Sequence, residues 1–370
     1  MSAIDRLLAL EDVYDASPAA EGLFLEAMRD VVAWHCERNE AYRNLCALRG
    51  FDPGAWDDLA FIPHVFVNAF KAHELLSVPR EEVALNLTSS GTSGQKSQIF
   101  FDRVSLDRAL GMVERVFAAQ GMVDRSEEVN YLLFAYDPEE AKNVGTAYTD
   151  ENLTTFTGRR AVFHALRWSA RTGKFEFDLE GAYRKLREYA ADGYPTRILG
   201  FPAFLNRMVD HHCAMSAPDF DLGPRSFVHT GGGWKASEHE AIDKAEFRAK
   251  VGAAFGVPDR NIRDGYGLVE HSVPYIECEE HRFHVPVFAR AYSRDVVSLE
   301  VLPEGETGFL HLLTPYIRSM PAHSLLTSDL AIVRRGCPCG RQTAWIELRG
   351  RAGVKKNKGC AITALEALPA

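Results

Sequence analysis

The sequence lacks the features that define membrane, secreted and nucleic-acid-binding proteins. No segment is apolar over the length needed to cross a bilayer, and the first residues are acidic where a signal peptide needs basic and apolar ones. The formal net charge of -9 and a pI near 5.8 provide no general basic surface for nucleic acid. Seven cysteines, an odd number, do not suggest a disulfide framework. We therefore expect a cytoplasmic protein with neither a membrane span nor a nucleic-acid partner.

The chain does have enough apolar sequence for a large core. Its 370 residues, 46% of them hydrophobic, exceed one typical domain and predict two or three subdomains. Helical spacing predicts an amphipathic helix from Ala19 to Asn39, and Ser105 is a candidate N-cap for a second helix that ends near Gly121. Helical and short apolar segments then alternate, and the pattern becomes strand-rich from about Phe283. The sequence thus predicts an α/β fold.

A polar, glycine-containing stretch, LTSSGTSGQKSQIFFD at residues 87–102, is the first candidate binding site. Its hydroxyls, backbone amides and glycines suit a turn that holds an anion, and Lys96 adds a positive charge. The candidate ligands are Thr88, Ser89, Ser90, Gly91, Thr92, Ser93 and Gly94. The Walker A spacing is absent because Gln95 separates Gly94 from Lys96. A phosphate loop of another kind and a polar hairpin turn both fit this stretch.

Four later motifs contain further candidate ligands for a nucleotide. HTGGGWK (residues 229–235) contains a glycine turn, and DGYGLVE (264–270) contains an aromatic residue and a carboxylate; LLTSDLA and LRGRAGVKK contain an aspartate and an arginine. The residues concerned are Gly231, Gly232, Gly233, Tyr266, Gly267, Glu270, Asp329 and Arg351. In isolation, a core tyrosine, an exposed strand-end carboxylate and a surface arginine are the favoured explanations of such residues.

The five motifs, in this order, resemble those of the adenylate-forming superfamily of acyl and aryl ligases. Within it, the chain looks most like the LuxE-type acyl-protein synthetases. Phenylacetate-CoA ligase-like enzymes are the main alternative. The resemblance implies a large N-terminal domain at 1–350, with two stacked α/β sheets and a smaller β-rich subdomain. Its parts are a helical region (1–85), an α/β nucleotide-binding core (86–282) and the β-rich part (283–350). A short tail, 351–370, stands in place of the usual C-terminal domain.

The chemistry implied by the resemblance is adenylation of a carboxylic acid with ATP and Mg²⁺. Lys96 and its loop are expected to hold the triphosphate, and Glu270 to hold Mg²⁺ through few carboxylate contacts. Tyr266 is expected to stack on adenine, Asp329 to accept both ribose hydroxyls, and Arg351 to approach the nucleotide as a fixed cation. With the short tail that the resemblance implies, we expect no counterpart of the superfamily's usual C-terminal lysine. The candidates to replace it are Lys96 with Mg²⁺, or Lys355, Lys356 or Lys358.

Cys360, ten residues before Ala370 and preceded by three lysines, is the candidate nucleophile. Nearby positive charge lowers a thiol pKa and raises the thiolate fraction. The hypothesis is that Cys360 attacks the acyl-adenylate and carries the acyl group as a thioester. The resemblance supports this role, because acyl-protein synthetases are acylated on a cysteine close to the C-terminus. An inert tail thiol is the alternative.

A second cysteine group predicts a metal site. ECEEHRFHV and GCPCGRQ supply Cys278, a histidine at 281 or 284, Cys337 and Cys339. Three thiolates and an imidazole form a closed tetrahedral Zn²⁺ site of the structural type. The Cys-Pro-Cys spacing is tighter than that of a zinc knuckle, so reduced side chains in a β-rich core are the alternative. Resemblance to phenylacetate-CoA ligase-like proteins supports the zinc site and favours His284 over His281.

The sequence leaves the roles of four other residues open. His229 begins HTGGGWK and His271 follows DGYGLVE; each is either site-facing or a satisfied strand-end residue. Phe201 and Phe204 of GFPAFL are either an acyl-pocket wall, by resemblance, or core.

The expected function is an ATP-dependent acyl-protein synthetase. It would activate a fatty or other carboxylic acid, load Cys360, and pass the acyl group to a protein that resembles an acyl-CoA reductase. The alternatives are an acyl- or aryl-CoA ligase and a non-catalytic nucleotide-binding scaffold.

Overall fold

The computed structural model describes residues 1–88, 98–136, 152–216 and 218–352, without the side chains of Thr88, Lys235 and Ala236. These residues form two compact units. The first contains residues 1–119 and 267–352, and the second is Gln120–Tyr266. Each unit combines helices with a sheet, which confirms the predicted α/β class. Within the described ranges, no helix has both the length and the apolar character needed to cross a membrane.

The helices are distributed over both units. In the described ranges the α-helices are α1 (Ala3–Leu8), α2 (Pro18–Arg38), α3 (Glu40–Leu48), α4 (Ala69–Ala72), α5 (Arg103–Ala119), α6 (Leu179–Asp192), α7 (Pro202–Ala214) and α8 (Lys244–Phe255). The 3₁₀ helices are Leu59–Phe61, Arg80–Glu82, Thr154–Phe156, Lys235–Glu240 and Asp259–Asn261.

The strands range from two to thirteen residues. They are β1 (Val65–Phe66), β2 (Val83–Thr88), β3 (Gln98–Asp102), β4 (Asp124–Tyr136), β5 (Thr157–Ser169), β6 (Lys174–Phe177), β7 (Thr196–Gly200), β8 (Phe227–Gly231), β9 (Ile262–Tyr266), β10 (Tyr275–Ile276), β11 (Phe283–His284), β12 (Arg290–Arg294), β13 (Thr307–Leu313), β14 (Ser324–Arg334) and β15 (Trp345–Arg351).

The first unit is organised around strand β14. Its sheet has the order β11-β15-β14-β13-β12, with antiparallel neighbours. On one side of β14, Leu325 and Leu326 pair in parallel with β1, while Asp329 and the residues after it pair with β15. A register shift between Leu330 and Ala331 interrupts the ladder that β14 forms with β15. The predicted strand-rich region after residue 283 is thus joined to a strand from the N-terminal part.

Helix α2 follows the sequence prediction closely. Ser17 caps it, since its hydroxyl accepts the N–H of Ala20 at 3.2 Å, and Pro18 occupies the first turn, where no N–H donor is needed. Phe24 and Met28 are among the residues that it buries. Asn39 ends α2 and caps α3, because its N–H donates to His35 O at 2.8 Å and its side chain accepts from Tyr42 N at 2.9 Å.

The prediction that Ser105 caps a helix is wrong. Helix α5 begins at Arg103, and the Asp102 carboxylate accepts the N–H of Ser105 at 3.1 Å. The Ser105 hydroxyl accepts the backbone N–H of Arg318 at 3.0 Å instead. The same Asp102 carboxylate accepts from the Arg318 Nε at 2.5 Å. A neighbouring carboxylate, held by a cation distant in sequence, therefore takes the capping position.

The second unit contains a mainly parallel sheet covered by helices. Its strands follow the order β9-β8-β7-β4-β5-β6, all parallel to their neighbours except β6. Ile198, Val228 and Ile262 of successive strands enter one apolar core together with side chains from α6, α7 and α8. Gly200 ends β7 with a φ of 133°, and a Cβ there would lie 2.7 Å from the Cβ of Phe134, so only glycine fits.

Candidate functional site

The glycine turn after β8 lies at the carboxyl-terminal edge of the parallel sheet in the second unit. Strand β8 ends at Gly231, and Gly232 and Gly233 have φ angles of 76° and 68°. These angles fall in the left-handed region, which residues other than glycine rarely adopt. Successive backbone N–H groups in such a turn form a concavity that suits an anion. The turn can therefore receive an anionic group at this edge.

Tyr266 lies at the same sheet edge. Strands β8 and β9 are parallel neighbours, and Gly231 pairs with the residue before Tyr266. Tyr266 itself ends β9 and is half-buried. Close to this edge, Thr230 Oγ1 donates to Asp264 Oδ1 at 3.3 Å and Lys244 Nζ donates to Asp264 Oδ2 at 2.7 Å. The fold therefore brings the glycine turn and Tyr266 together at the strand ends where open α/β sheets bind ligands.

Asp329 and Arg351 form an ion pair on neighbouring strands of the first unit. They are register partners on β14 and β15, and Arg351 Nε donates to Asp329 Oδ1 at 2.7 Å. Such charge-assisted hydrogen bonds are stronger than neutral ones. Asp329 is buried, whereas the Arg351 side chain is 52% exposed. The guanidinium can therefore hold Asp329 in place while part of the Arg351 side chain faces solvent.

Glu270 is a buried carboxylate in a tight turn of the first unit, three residues after the exposed Gly267. The backbone N–H of His271 donates to Leu268 O at 3.0 Å and closes the turn. His271 Nε2 lies 2.7 Å from the Tyr275 hydroxyl, and burial lowers the pKa of His271 to about 3. His271 is therefore a neutral, hydrogen-bonded core residue.

Several predicted site residues lie outside the described residues. Thr88 ends β2 and pairs with Gln98 of the antiparallel strand β3. The undescribed candidates are Ser89, Ser90, Gly91, Thr92, Ser93, Gly94, Lys96, Lys355, Lys356, Lys358 and Cys360. Their roles stay predictions.

The aromatic residues of GFPAFL serve the core of the second unit. The Phe204 ring is fully buried and lies 6.2 Å from the Phe134 ring and 4.9 Å from the Phe177 ring, centroid to centroid. Phe201 is half-buried, 6.3 Å from Phe204. For Phe204, the core role is the one that the structure supports.

The four predicted zinc ligands converge in the first unit. One ligand atom each from Cys278, His284, Cys337 and Cys339 lies within 4.8 Å of every other. The Cys278 and Cys337 sulfurs are 3.8 Å apart, and Cys339 Sγ lies 3.2 Å from His284 Nε2. Tetrahedral Zn²⁺ with Zn–S bonds of about 2.3 Å requires sulfurs about 3.8 Å apart and a sulfur-to-nitrogen distance of about 3.6 Å. Movements of up to about 1 Å would complete the tetrahedron, so the residues fit zinc.

The choice between the two histidines follows from their contacts. His284 contributes Nε2 to the cluster, and its other nitrogen, Nδ1, lies 3.3 Å from the Thr343 hydroxyl. Such a partner fixes the ring and the tautomer of a metal-binding histidine. His281 Nδ1 instead lies 3.7 Å from the Glu277 carboxylate. Thr343 is a supporting residue that sequence reasoning missed, because a threonine near a strand start carries no metal-site spacing.

The electrostatics of the four side chains are consistent with a metal centre. Burial lowers the pKa of His284 to about 4, so its imidazole is neutral and available as a ligand. Burial raises the pKa of the Cys278 thiol to about 12 and also raises that of Cys337. Burial opposes ionisation of Cys339 too, but the backbone N–H of Arg341 and other hydrogen bonds lower its pKa. A bound cation would stabilise all three thiolates.

Solved structures with a similar fold include adenylate-forming ligases. A 2-hydroxyisobutyryl-CoA ligase, solved with 2-HIB-AMP and coenzyme A, matches with a TM-score of 0.67 and 17% identity over 92% of this chain and 70% of that one. The protein therefore has the fold of adenylate-forming enzymes.

Sequence comparison assigns the family within this class. The family model described as "Acyl-protein synthetase, LuxE" matches residues 2–369, so the chain belongs to the LuxE acyl-protein synthetases. A long-chain-fatty-acid–luciferin-component ligase from Vibrio harveyi is 29% identical over 342 residues, 91% of this chain and 86% of the relative. A phenylacetate-coenzyme A ligase from Thermus thermophilus is 26% identical over 329 residues, 85% of this chain and 66% of the relative. The resemblance seen in the sequence is confirmed, and the protein is an acyl-protein synthetase, a ligase rather than a non-catalytic scaffold.

Proposed function

We propose that this acyl-protein synthetase uses ATP and Mg²⁺ to activate a long-chain fatty acid and then acylates its own Cys360. The observation that carries the proposal is the family match over residues 2–369. The Vibrio harveyi relative, named for a long-chain fatty acid, supports the substrate class.

The proposed reaction has two balanced steps. The fatty-acid carboxylate attacks the α-phosphorus of ATP, forming acyl-AMP while pyrophosphate leaves. The Cys360 thiolate then attacks the acyl carbon, and the acyl–phosphate bond breaks to release AMP. The thiol proton goes to solvent or to a nearby base. The thioester keeps the acyl group activated for transfer to a second protein, which we propose resembles an acyl-CoA reductase.

The proposed nucleotide contacts rest on the resemblance and on local geometry. The glycine turn at Gly231–Gly233 supports a role in binding the nucleotide, because its left-handed glycines allow a ligand to approach the backbone closely. Tyr266 would stack on adenine. Thr88, Gly267 and the loop residues 89–94 would contribute polar groups, with Lys96 neutralising the outer phosphates. Glu270 would hold Mg²⁺.

Asp329 is proposed to bind the ribose hydroxyls while paired with Arg351. Their 2.7 Å hydrogen bond occupies one carboxylate oxygen, Oδ1, and fixes the orientation of the group. A carboxylate offers about four acceptor positions, so it can accept further hydrogen bonds from a diol. Arg351 would also reduce the repulsion between Asp329 and the nucleotide phosphates. This role predicts that Asp329 contributes to ATP affinity more than to the chemical step.

The cluster of Cys278, His284, Cys337 and Cys339 is proposed as a structural Zn²⁺ site. Zinc bound by four protein ligands supplies a structural crosslink and no open position for a reactant. Cys337 and Cys339 lie in the turn between β14 and β15, and His284 lies on β11, which pairs with β15. The crosslink would therefore hold the turn whose two strands carry Asp329 and Arg351.

Coenzyme A is the second candidate acceptor of the acyl group. The phenylacetate-coenzyme A ligase relative favours it, since the match extends over 85% of this chain. Pyrophosphate release should be measured with ATP, Mg²⁺ and fatty acids, with and without coenzyme A, for wild type and Cys360→Ser. Without coenzyme A, the wild type is expected to release about one pyrophosphate equivalent per chain more than Cys360→Ser does. Multiple turnovers that require coenzyme A and are unaffected by Cys360→Ser would instead support coenzyme A as the acceptor.

A further inference from the structure

Two cysteines outside the candidate functional site lie in direct contact in the first unit. Cys36 is in the last turn of α2, and Cys46 is in α3. Their sulfur atoms are 3.6 Å apart, which is non-bonded contact. Neither residue belongs to the metal cluster or to the nucleotide motifs.

The helix connection holds these two sulfurs together. Asn39 ends α2 and begins α3 through backbone and side-chain hydrogen bonds, so no flexible loop separates the helices. Arg43 adds two contacts across the connection, since its Nη1 donates to the carbonyl oxygens of Cys36 and Glu37 at 2.9 and 3.0 Å. A disulfide requires an S–S distance of about 2.05 Å. The sulfurs need to approach by about 1.5 Å to form the bond.

We propose that Cys36 and Cys46 form a reversible intramolecular disulfide, a thiol-redox modification site separate from the acyl-transfer chemistry. The oxidant class is a low-molecular-weight disulfide such as oxidised glutathione. The proposal does not depend on the proposed function, since it uses neither ATP nor Cys360.

The exposure of the two thiols sets the order of the steps. Cys36 is partly exposed, whereas Cys46 is 3% exposed, so the oxidant meets Cys36 first. The hydrogen bond to Cys46 and burial raise the pKa of Cys36, so its thiolate is a minor form. That thiolate attacks one sulfur of the oxidant and expels one thiolate, which leaves a mixed disulfide on Cys36. The Cys46 thiolate then attacks the Cys36 sulfur and expels the second thiolate. The two protein thiols lose two protons and two electrons, and the oxidant becomes two thiols.

The local environment favours the second step. In the mixed disulfide the Cys36 sulfur carries no proton, so the Tyr42 hydroxyl is the remaining side-chain donor that lowers the pKa of Cys46, while burial raises it. This donor stabilises a negative charge on Cys46. Because the sulfurs are already in contact, the intramolecular attack proceeds at a high effective concentration.

The test is peptide mapping after incubation of the reduced protein in glutathione buffers, followed by alkylation and trypsin digestion. We expect residues 30–38 to be disulfide-linked to residues 44–49, and the link to be reversed by dithiothreitol. Cys213, exposed near the end of α7, is the matched control and is expected to give only a glutathione adduct.

Two variants separate the steps. In Cys46→Ser the mixed disulfide on Cys36 has no resolving thiol, so we expect its occupancy to be at least about tenfold higher than in wild type. In Cys36→Ser we expect no adduct on Cys46, because that sulfur is buried. A stable glutathione adduct on Cys36 of the wild type, or free thiols at both positions when Cys213 is fully modified, would overturn the proposal. The wild-type peptides alone decide this if either variant fails to fold.

Discussion

Replacing Cys337 with serine should weaken binding of the proposed zinc ion and loosen the turn between β14 and β15. The structure provides four ligand atoms within 4.8 Å of one another, and the Cys278–Cys337 sulfur distance of 3.8 Å already matches a zinc tetrahedron. A serine hydroxyl is a harder and much less acidic ligand than a thiol, so it does not replace the thiolate. The variant would leave three ligands around a site that needs four.

The size of the effect follows from the energetics of structural zinc. Such sites contribute about 10–16 kcal/mol of apparent binding free energy in small peptides at neutral pH. If the four ligands share this about equally, losing one costs roughly 3 kcal/mol. For a unit of about 200 residues, that corresponds to a fall in Tm of about 6–12 °C. Cys213→Ser is the matched control, because Cys213 is exposed and belongs to the other unit.

The assays are elemental analysis, X-ray absorption and thermal unfolding of protein purified without chelator. Wild type and Cys213→Ser should carry about one zinc per chain, with three sulfurs at about 2.3 Å and one nitrogen at about 2.0 Å. Cys337→Ser should carry less zinc than the control and should unfold at the lower temperature. Fully folded wild type without zinc, or a Cys337→Ser variant with the zinc content and Tm of the control, would refute the reasoning.

Three further predictions concern buried charge and the nucleotide. Burial lowers the pKa of His35 and of His271 to about 3, well below their unfolded value, so both are neutral in the folded state. The stability that depends on these neutral forms is complete above pH 6.5 and is lost as the pH falls towards 3. At pH 5.5 the loss is roughly 1 kcal/mol for each histidine, and equal denaturant midpoints at pH 7.5 and 5.5 would contradict it. Arg318→Ala leaves the Asp102 carboxylate, 3% exposed, without its cation, so the free energy of unfolding should fall by about 3 kcal/mol, and Arg318→Lys should recover part of it. Asp329→Asn should raise the KM for ATP about tenfold while the zinc content stays at the wild-type level, and an unchanged KM would remove Asp329 from the ribose site.

The local parts of the fold were predictable from the sequence because they depend on short-range patterns. Apolar residues at helical spacing predicted α2 to within a residue at each end, and glycines after apolar runs predicted the turn after β8. The predicted cap at Ser105 failed for a physical reason. Asp102 is also an N-cap residue, and Arg318, more than two hundred positions away in sequence, holds its carboxylate at the helix start. The local sequence does not reveal which of two possible capping residues a distant cation will contact.

The long-range parts could not be predicted in the same way. The pairing of β1 with β14 joins residues near 65 to residues near 325, and the Asp329–Arg351 contact depends on a register that includes an irregularity at Leu330. Strand registers of this kind depend on packing across the sheet. The convergence of Cys278, His284, Cys337 and Cys339 was the exception. Their spacing left the site open, and the family resemblance favoured it. The supporting hydroxyl of Thr343 carried no such signal.

The central claim is that the protein acylates its own Cys360, and intact-protein mass spectrometry tests it most directly. Wild type, Cys360→Ser and the control Cys213→Ser should each be incubated with ATP, Mg²⁺ and a long-chain fatty acid. The account predicts one acyl group on wild type and on Cys213→Ser, removed by hydroxylamine, and no acyl group on Cys360→Ser. An acyl group that persists in Cys360→Ser, or none in wild type while pyrophosphate is released, would contradict the account.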